Sequence, residues 1–228
     1  MKDLSYLDVS SIFSNKSIKA FFSLRKLSKL GKVTINSFAR EVGFNPSTLL
    51  IPNQVHSSKV SFYKVPGEIP ECDGAFTNQR NIVCSIKVAD CLPIYFVHRF
   101  ELLFGIIHAG WRGLVNDIIF ESGRLLKKNN YKLADFEIYI GPSIRSCCFE
   151  VGNDIIDDFH PKYVENINSG KFKVDLQNLA MDKLMEIDIK RKNIYVNDNC
   201  TSCNHENYFS YRRDGKSAGR MFGLLGIK

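Results

Sequence analysis

The chain lacks most of the features that would assign it to a broad class at once. No uninterrupted apolar run approaches the roughly 20 residues needed to span a bilayer, so a membrane-spanning helix is not expected. No phosphate-binding GxGxxG is present. There is no internal repeat, no low-complexity tract and no Pro/Gly-rich linker, so solenoids, fibrous proteins and beads-on-a-string architectures are excluded. Tryptophan occurs once and histidine five times in 228 residues. The cysteines number seven, an odd count that argues against a disulfide framework and for a reducing compartment. The opening MKDLSYLDVSSIFSNK has neither a clean apolar h-region nor a small-residue cleavage site, and the expected location is cytoplasmic.

What is present describes an ordinary globular chain. Hydrophobic residues make up 44% and charged residues 24%. The formal net charge is +7, yet Lys and Arg are spread thinly except in YRRDGKSAGR near the end. No aromatic–basic motif accompanies them, so nucleic acid is not the expected partner. The charge is compatible with anionic small substrates or with genomic drift alone, and the abundance of Lys, Asn and Ile reads as compositional.

Periodicity predicts alternating strands and helices in irregular order. INSFAREVG (35–43) reads as a short amphipathic helix ending at Gly43. STLLIPNQVHSSKVSFYKV reads as two strands flanking a turn at His56. The centre is strongly β: NIVCSIKV (81–88), PIYFVH (93–98) and ELLFGIIH (101–108), the last two joined as a hairpin. Residues 114–128 read as one helix, as do GNDIIDDFH and DLQNLAMDKLMEIDI, while FEIYIGP and NIYVND read as strands. Without a regular βαβ metre, the expected class is α+β, a single domain over 1–228 with mixed β-sheets packed with helices. Residues 1–35 are weakly patterned and include the basic stretch SLRKLSKLGK, and 1–45 form the divergent N-terminal part of the domain.

Three phrases carry chemistry: His56 in NQVHS, Cys91 in ADCLPIYF and His108 in HAGWRG. Each sits where an apolar β-like run hands over to a loop. Successive members are 35 and 17 residues apart, too far for a zinc finger but suited to a catalytic ion held from separate strands. Two imidazoles and a thiolate favour zinc or copper, one ion, over magnesium or calcium. Three protein ligands would leave a position open to water or substrate. The same residues allow another chemistry, with Cys91 as a nucleophile deprotonated by His108 or His56. The second histidine favours the metal, because a Cys–His dyad more often recruits Asn or Asp as its third member.

Helpers lie nearby in sequence. Asp73, in CDGAFTN, and Asp90 could orient an imidazole or act as general base, though an aspartate before Gly74 also suits a turn. Arg112, four residues after His108 at an apparent helix start, could hold an anion. Arg212, Arg213, Lys216 and Arg220 cluster around glycines and could bind phosphate, or form a solvated face. Trp111 reads as packing. Cys200 and Cys203 form a lone CxxC with no second pair nearby in sequence, and the vicinal Cys147 and Cys148 read as structural, so zinc is not expected at either.

Together NQVH, DGAFTN, ADCLPIYF, HAGWRGL, IGPSI-CCFEVG and YFSYRRDG-(3)-GRM resemble the YfiH/laccase-domain family, also called multicopper polyphenol oxidase or purine nucleoside phosphorylase-like proteins. The match runs in order over roughly residues 50–222. The resemblance implies a complex αβ fold related to that of cysteine deamidase toxins, and a metal site at His56, Cys91 and His108. It also implies phosphorolysis of adenosine, inosine and methylthioadenosine to free base and (thio)ribose 1-phosphate, with adenosine deamination as a second activity. The partners implied are a small-molecule nucleoside and phosphate, with the chain as monomer or homodimer. A Cys-nucleophile amidohydrolase acting on a metabolite such as a cell-wall precursor stays open. Near the start the pattern departs: FFSLRKLSKLGK keeps Arg25 but lacks the paired glycines of the family's FSTR-x-GGVS segment. Laccase chemistry in the four-copper sense needs about ten ligands, mostly histidine, and five histidines cannot supply it.

Overall fold

A computed structural model describes residues 5–30 and 33–228. The architecture follows from strands that are apolar on both faces, which demand a covering layer on each side. In the central strand Leu92–His98, Leu92, Ile94 and Phe96 face one apolar cluster while Tyr95 and Val97 face another. Such a strand reads as a continuous hydrophobic run, and it sits between two other layers.

Two six-stranded mixed sheets result. The first has the order β1 (Tyr6–Asp8), β2 (Ile18–Ser23), β15 (Met221–Ile227), β7 (Val83–Val88), β3 (Leu49–Pro52), β5 (Gly67–Ile69). The second runs β14 (Ile194–Val196), β10 (Phe136–Ile140), β8 (Leu92–His98), β9 (Phe104–Ala109), β6 (Gly74–Thr77), β4 (Val60–Phe62). A small third sheet, β11 (Glu150–Gly152), β13 (Lys171–Val174), β12 (Val164–Asn168), lies to one side. The two large sheets share a core containing Phe22, Ile86 and Leu225 from the first, and Tyr95, Phe104 and Ile106 from the second. Tyr95 crosses that core to donate from its hydroxyl to the Phe21 carbonyl at 2.9 Å.

Helix α1 (Ile35–Glu41) covers the outer face of the first sheet, Phe38 packing with Leu49 and Leu224. A Thr34–Ser37 capping box starts it and Gly43, at φ +82°, ends it. Helices α2 (Trp111–Val115), α3 (Ile118–Lys128) and α4 (Leu176–Glu186) cover the outer face of the second sheet. A fifth, short helix is α5 (Tyr211–Asp214). The layers are therefore helix, sheet, sheet, helices, an α+β arrangement of mixed sheets as the sequence predicts. No helix among the described residues is long and apolar enough to cross a membrane.

Several local expectations need correction. The predicted helix over 114–128 is two, α2 and α3, because Asp117 adopts a left-handed conformation (φ +67°) that breaks the hydrogen-bond ladder. GNDIIDDFH is not a helix. Its start pairs in β11, and only Ile156–Asp158 forms a 3-10 turn before Pro161. β2 and β15, which pair along five positions at the centre of the first sheet, went unread at the two ends of the chain. Of the stretch SLRKLSKLGK, Gly31 and Lys32 lie outside the described residues, as do residues 1–4.

Close approach of the sheets depends on Gly223. A Cβ there would stand 2.6 Å from the Tyr95 hydroxyl and 2.8 Å from Ile106 Cδ1. Gly223→Ala should cost about 1–3 kcal/mol by overpacking, read as a lower denaturant midpoint at unchanged m-value. An unchanged midpoint would mean that the sheets are not tightly apposed there.

Candidate metal centre

The site lies where the two sheets open. β3 and β4, the strands on either side of His56, belong to different sheets, so the turn between them crosses from one layer to the other. Cys91 ends the crossing from β7 to β8, and His108 sits near the end of β9. Three handovers between layers therefore converge, and the metal-ligating atoms of His56, Cys91 and His108 lie within 4.8 Å of one another. The two imidazole centroids are 4.7 Å apart, edge to face.

Asp73 organises this convergence. It is fully buried. Its carboxylate accepts from the backbone amides of Val55 (3.2 Å), His56 (3.0 Å) and Ser57 (2.7 Å) and from the Ser57 hydroxyl (2.8 Å). These bonds hold His56 in its left-handed conformation (φ +60°), which a non-glycine residue adopts only when surrounding contacts impose it. The same carboxylate lies 2.8 Å from His108 Nδ1, and the His108 amide donates to the Asp73 carbonyl at 2.7 Å. With Nδ1 so engaged, Nε2 is the ring nitrogen left for Cys91 or an ion, the carboxylate–imidazole arrangement common behind metal ligands. One carboxylate thus braces the His56 turn and orients the His108 imidazole.

Electrostatics follow from burial and proximity. For Asp73, burial raises the carboxyl, but hydrogen bonds from His108 and Ser57 more than offset it and bring the pKa down to about 2. Burial likewise pushes the Cys91 thiol up, whereas the charge and hydrogen bond of His108, with a lesser contribution from His56, bring it down to about 6. Burial lowers His108, but Cys91 and Asp73 raise it to about 9. Without an ion, thiolate and imidazolium coexist between those two values. Gly110 keeps the space free: a Cβ there would stand 3.0 Å from Cys91 Sγ and 3.1 Å from His56 Cδ2.

The donor set fits a soft or borderline ion. Two nitrogens and one sulfur can reach a common centre, one imidazole is oriented from behind, and His56 is exposed, which leaves a side of the site open.

Other expected site residues fall into place unevenly. Asp90 touches neither imidazole. Buried and at φ +88°, it accepts from the Thr201 and Ser210 hydroxyls (2.6 and 3.0 Å) and from the Arg212 amide (2.7 Å), tying the C-terminal segment to the residue before Cys91. Arg213, expected at phosphate, has no donor left for one. Its guanidinium is spent on the carbonyls of Thr201, Ser202 and Tyr208 and on Asp214. Arg220 donates to its own loop at Ala218 and Gly219. Arg212 is exposed, donates to the Cys148 carbonyl (2.9 Å) and lies over Phe149. Arg112, exposed in the first turn of α2, stacks 4.3 Å over Trp111, which also packs against Phe159. Lys216 is exposed in the turn Gly215–Ser217. The sequence reading missed the four-cysteine meeting of Cys147, Cys148, Cys200 and Cys203. The lone CxxC does have a second pair, 52 residues earlier in the chain.

The chain is similar to several known proteins. The sequence model of the family described as multi-copper polyphenol oxidoreductase laccase matches residues 29–228. The purine nucleoside phosphorylase YlmD of Geobacillus stearothermophilus is 32% identical over 169 residues, 69% of this chain and 61% of that protein. A purine nucleoside phosphorylase of Haemophilus influenzae is 32% identical over 191 residues, 79% of this chain and 75% of its own length. Among solved structures, the Bacillus licheniformis hypothetical protein YfiH superposes with a TM-score of 0.89 at 23% identity, over 100% of this chain and 98% of that one.

Two outcomes test the centre. In metal-free protein, alkylation of Cys91 should titrate with a midpoint near pH 6 and continue through neutrality, followed by peptide mapping; a midpoint near 9 would mean that no imidazolium faces the thiol. Asp73→Asn should weaken metal affinity about 10–100-fold, measured by competition with a chromophoric chelator. Equal affinities would remove Asp73 from its positioning role.

Proposed function

The chain belongs to the multi-copper polyphenol oxidoreductase laccase family, and we propose that it is a cytoplasmic, metal-dependent purine nucleoside enzyme. The reaction is phosphorolysis of adenosine, inosine and methylthioadenosine to free base and (thio)ribose 1-phosphate, with adenosine deamination as a second activity. The observation that carries this reading is the convergence of His56, Cys91 and His108 around one centre. The names of relatives about 30% identical support the substrate class.

His56, Cys91 and His108 would hold a single zinc or copper ion. Bound there, the ion supplies Lewis acidity at the open face of the site. Asp73 keeps the His108 ring in one tautomer and orientation. Its carboxylate, held at about 2, stays ionised throughout the neutral range and so stabilises positive charge on His108. Phosphorolysis needs cations that hold phosphate beneath the anomeric carbon. Arg112, Arg212 and Lys216 are exposed and suit that task, whereas Arg213 has no donor to spare.

One observation favours a second reading. Asp73, His108 and Cys91 form an unbroken acid–imidazole–thiolate chain, the third member that a Cys–His nucleophile recruits. Without an ion, the same residues are those of a Cys-nucleophile amidohydrolase. Adenosine and inosine incubated with pure protein, with and without phosphate, should give phosphate-dependent free base on chromatography. Phosphate-independent inosine would mean deamination, and no turnover of either would sink the nucleoside reading. Arg112→Ala should raise KM for phosphate at least about tenfold, the loss of one charge-assisted contact, with a far smaller effect on KM for nucleoside. Equal effects would remove Arg112 from the phosphate site.

A further inference from the structure

Four thiols that the sequence shows as two unrelated pairs meet in space. Cys147 and Cys148 lie in the turn between β10 and β11, Cys200 and Cys203 in the turn after β14. All four sulfurs lie within 4.8 Å of one another. Cys147–Cys148, Cys147–Cys203 and Cys148–Cys203 are separated by 3.8, 3.6 and 3.3 Å. A disulfide brings sulfurs to about 2.0 Å. Tetrahedral zinc, with Zn–S near 2.3 Å, holds them about 3.8 Å apart. The observed spacings follow the second pattern.

Thiols alone give little reason for such a meeting, since S–H is a weak donor and sulfur a weak acceptor. The backbone is nonetheless shaped for it. Cys200 forms a parallel bridge with Ser143, and the Thr201 amide donates to the Ser143 carbonyl at 3.1 Å, which brings the two loops side by side. The Cys148 amide turns back to the Arg145 carbonyl and the Asn204 amide to that of Cys200, closing a turn around each pair.

Charge completes the picture. Four thiolates around a divalent ion carry an excess of two negative charges. Three guanidinium groups reach the cysteine loops: Arg145 donates to Asn197 O (2.9 Å), Arg212 to Cys148 O (2.9 Å), and Arg213 to Thr201 O and Ser202 O (3.1 and 3.0 Å). Asp214 neutralises Arg213 in part, and Asp198 lies 3.8 Å from Arg145. Two members of the cationic knot read in the sequence, Arg212 and Arg213, thus border the sulfur cluster.

We propose that Cys147, Cys148, Cys200 and Cys203 form a second, structural zinc site that staples the loop after β10 to the segment leading into α5. Softness and a tetrahedral S4 set select zinc among mononuclear ions of a reducing compartment. An iron–sulfur cluster would need its thiolates spread more widely than one ion allows. The staple also bears on the first centre, because Ser210 and Arg212 hold Asp90, next to Cys91. The proposal is independent of the reaction at that centre.

The test is zinc stoichiometry in full-length protein kept reduced and passed over a desalting column after zinc loading. His56→Ala/Cys91→Ser should retain one zinc per chain, and adding Cys200→Ser/Cys203→Ser should abolish it. If the four-fold variant does not fold, cobalt titration of the unmodified chain serves: the tightest-binding equivalent should show the intense thiolate charge-transfer bands and strong visible bands of tetrahedral tetrathiolate cobalt. No zinc retained by His56→Ala/Cys91→Ser, or cobalt lacking those bands, overturns the proposal. So does a Cys148–Cys203 disulfide, found by mass mapping of zinc-loaded protein, in place of bound metal.

Discussion

One buried carboxylate holds the candidate centre together. Asp73 bonds three successive amides of the His56 turn and the far side of the His108 ring, so one ligand from a loop and one from β9 are positioned by a single group. A buried charge is tolerated only when it is paired and hydrogen-bonded, and Asp73 meets that condition because both the turn and the strand reach it. Losing either partner would leave a costly charge in the core. The crossing between sheets and the chemistry at their edge are therefore one energetic problem with one solution.

The same arrangement explains why the centre supports two chemistries. A thiol beside a protonated imidazole ionises, and an ionised thiol is both a nucleophile and a metal ligand. What separates the readings is His56. A nucleophilic dyad has no need of a second imidazole 4.7 Å from the first, whereas an ion with open coordination does. The left-handed backbone at His56 is the conformational cost of bringing that imidazole in, and it is offset by Asp73.

The sequence made the centre legible because each ligand lies in a short phrase at the end of a strongly apolar strand. β7, β8, β9 and β10 are buried on both faces, so their hydrophobic runs announced them. β2 and β15 were missed because chain ends offered no neighbouring turn signals, and their pairing is visible only once the termini meet. The helix expected at GNDIIDDFH failed because Gly152 at its start is paired in β11 and Pro161 follows its end, which leaves only the 3-10 turn Ile156–Asp158. Asp73 reads locally as a turn aspartate before a glycine. That its carboxylate holds the His56 turn and the His108 ring depends on contacts across 17 and 35 residues, which no local pattern carries. The CxxC misled for the same reason: its partners, the vicinal cysteines, stand 52 residues upstream.

The central claim is that two nitrogens and one sulfur, remote along the chain, bind one ion. It is tested most directly by zinc-edge X-ray absorption of Cys200→Ser/Cys203→Ser protein carrying a single zinc. The account predicts one sulfur at about 2.3 Å and two imidazole nitrogens at about 2.0–2.1 Å, with the sulfur lost when Cys91→Ser is added. A shell without sulfur in protein that retains Cys91 would contradict it.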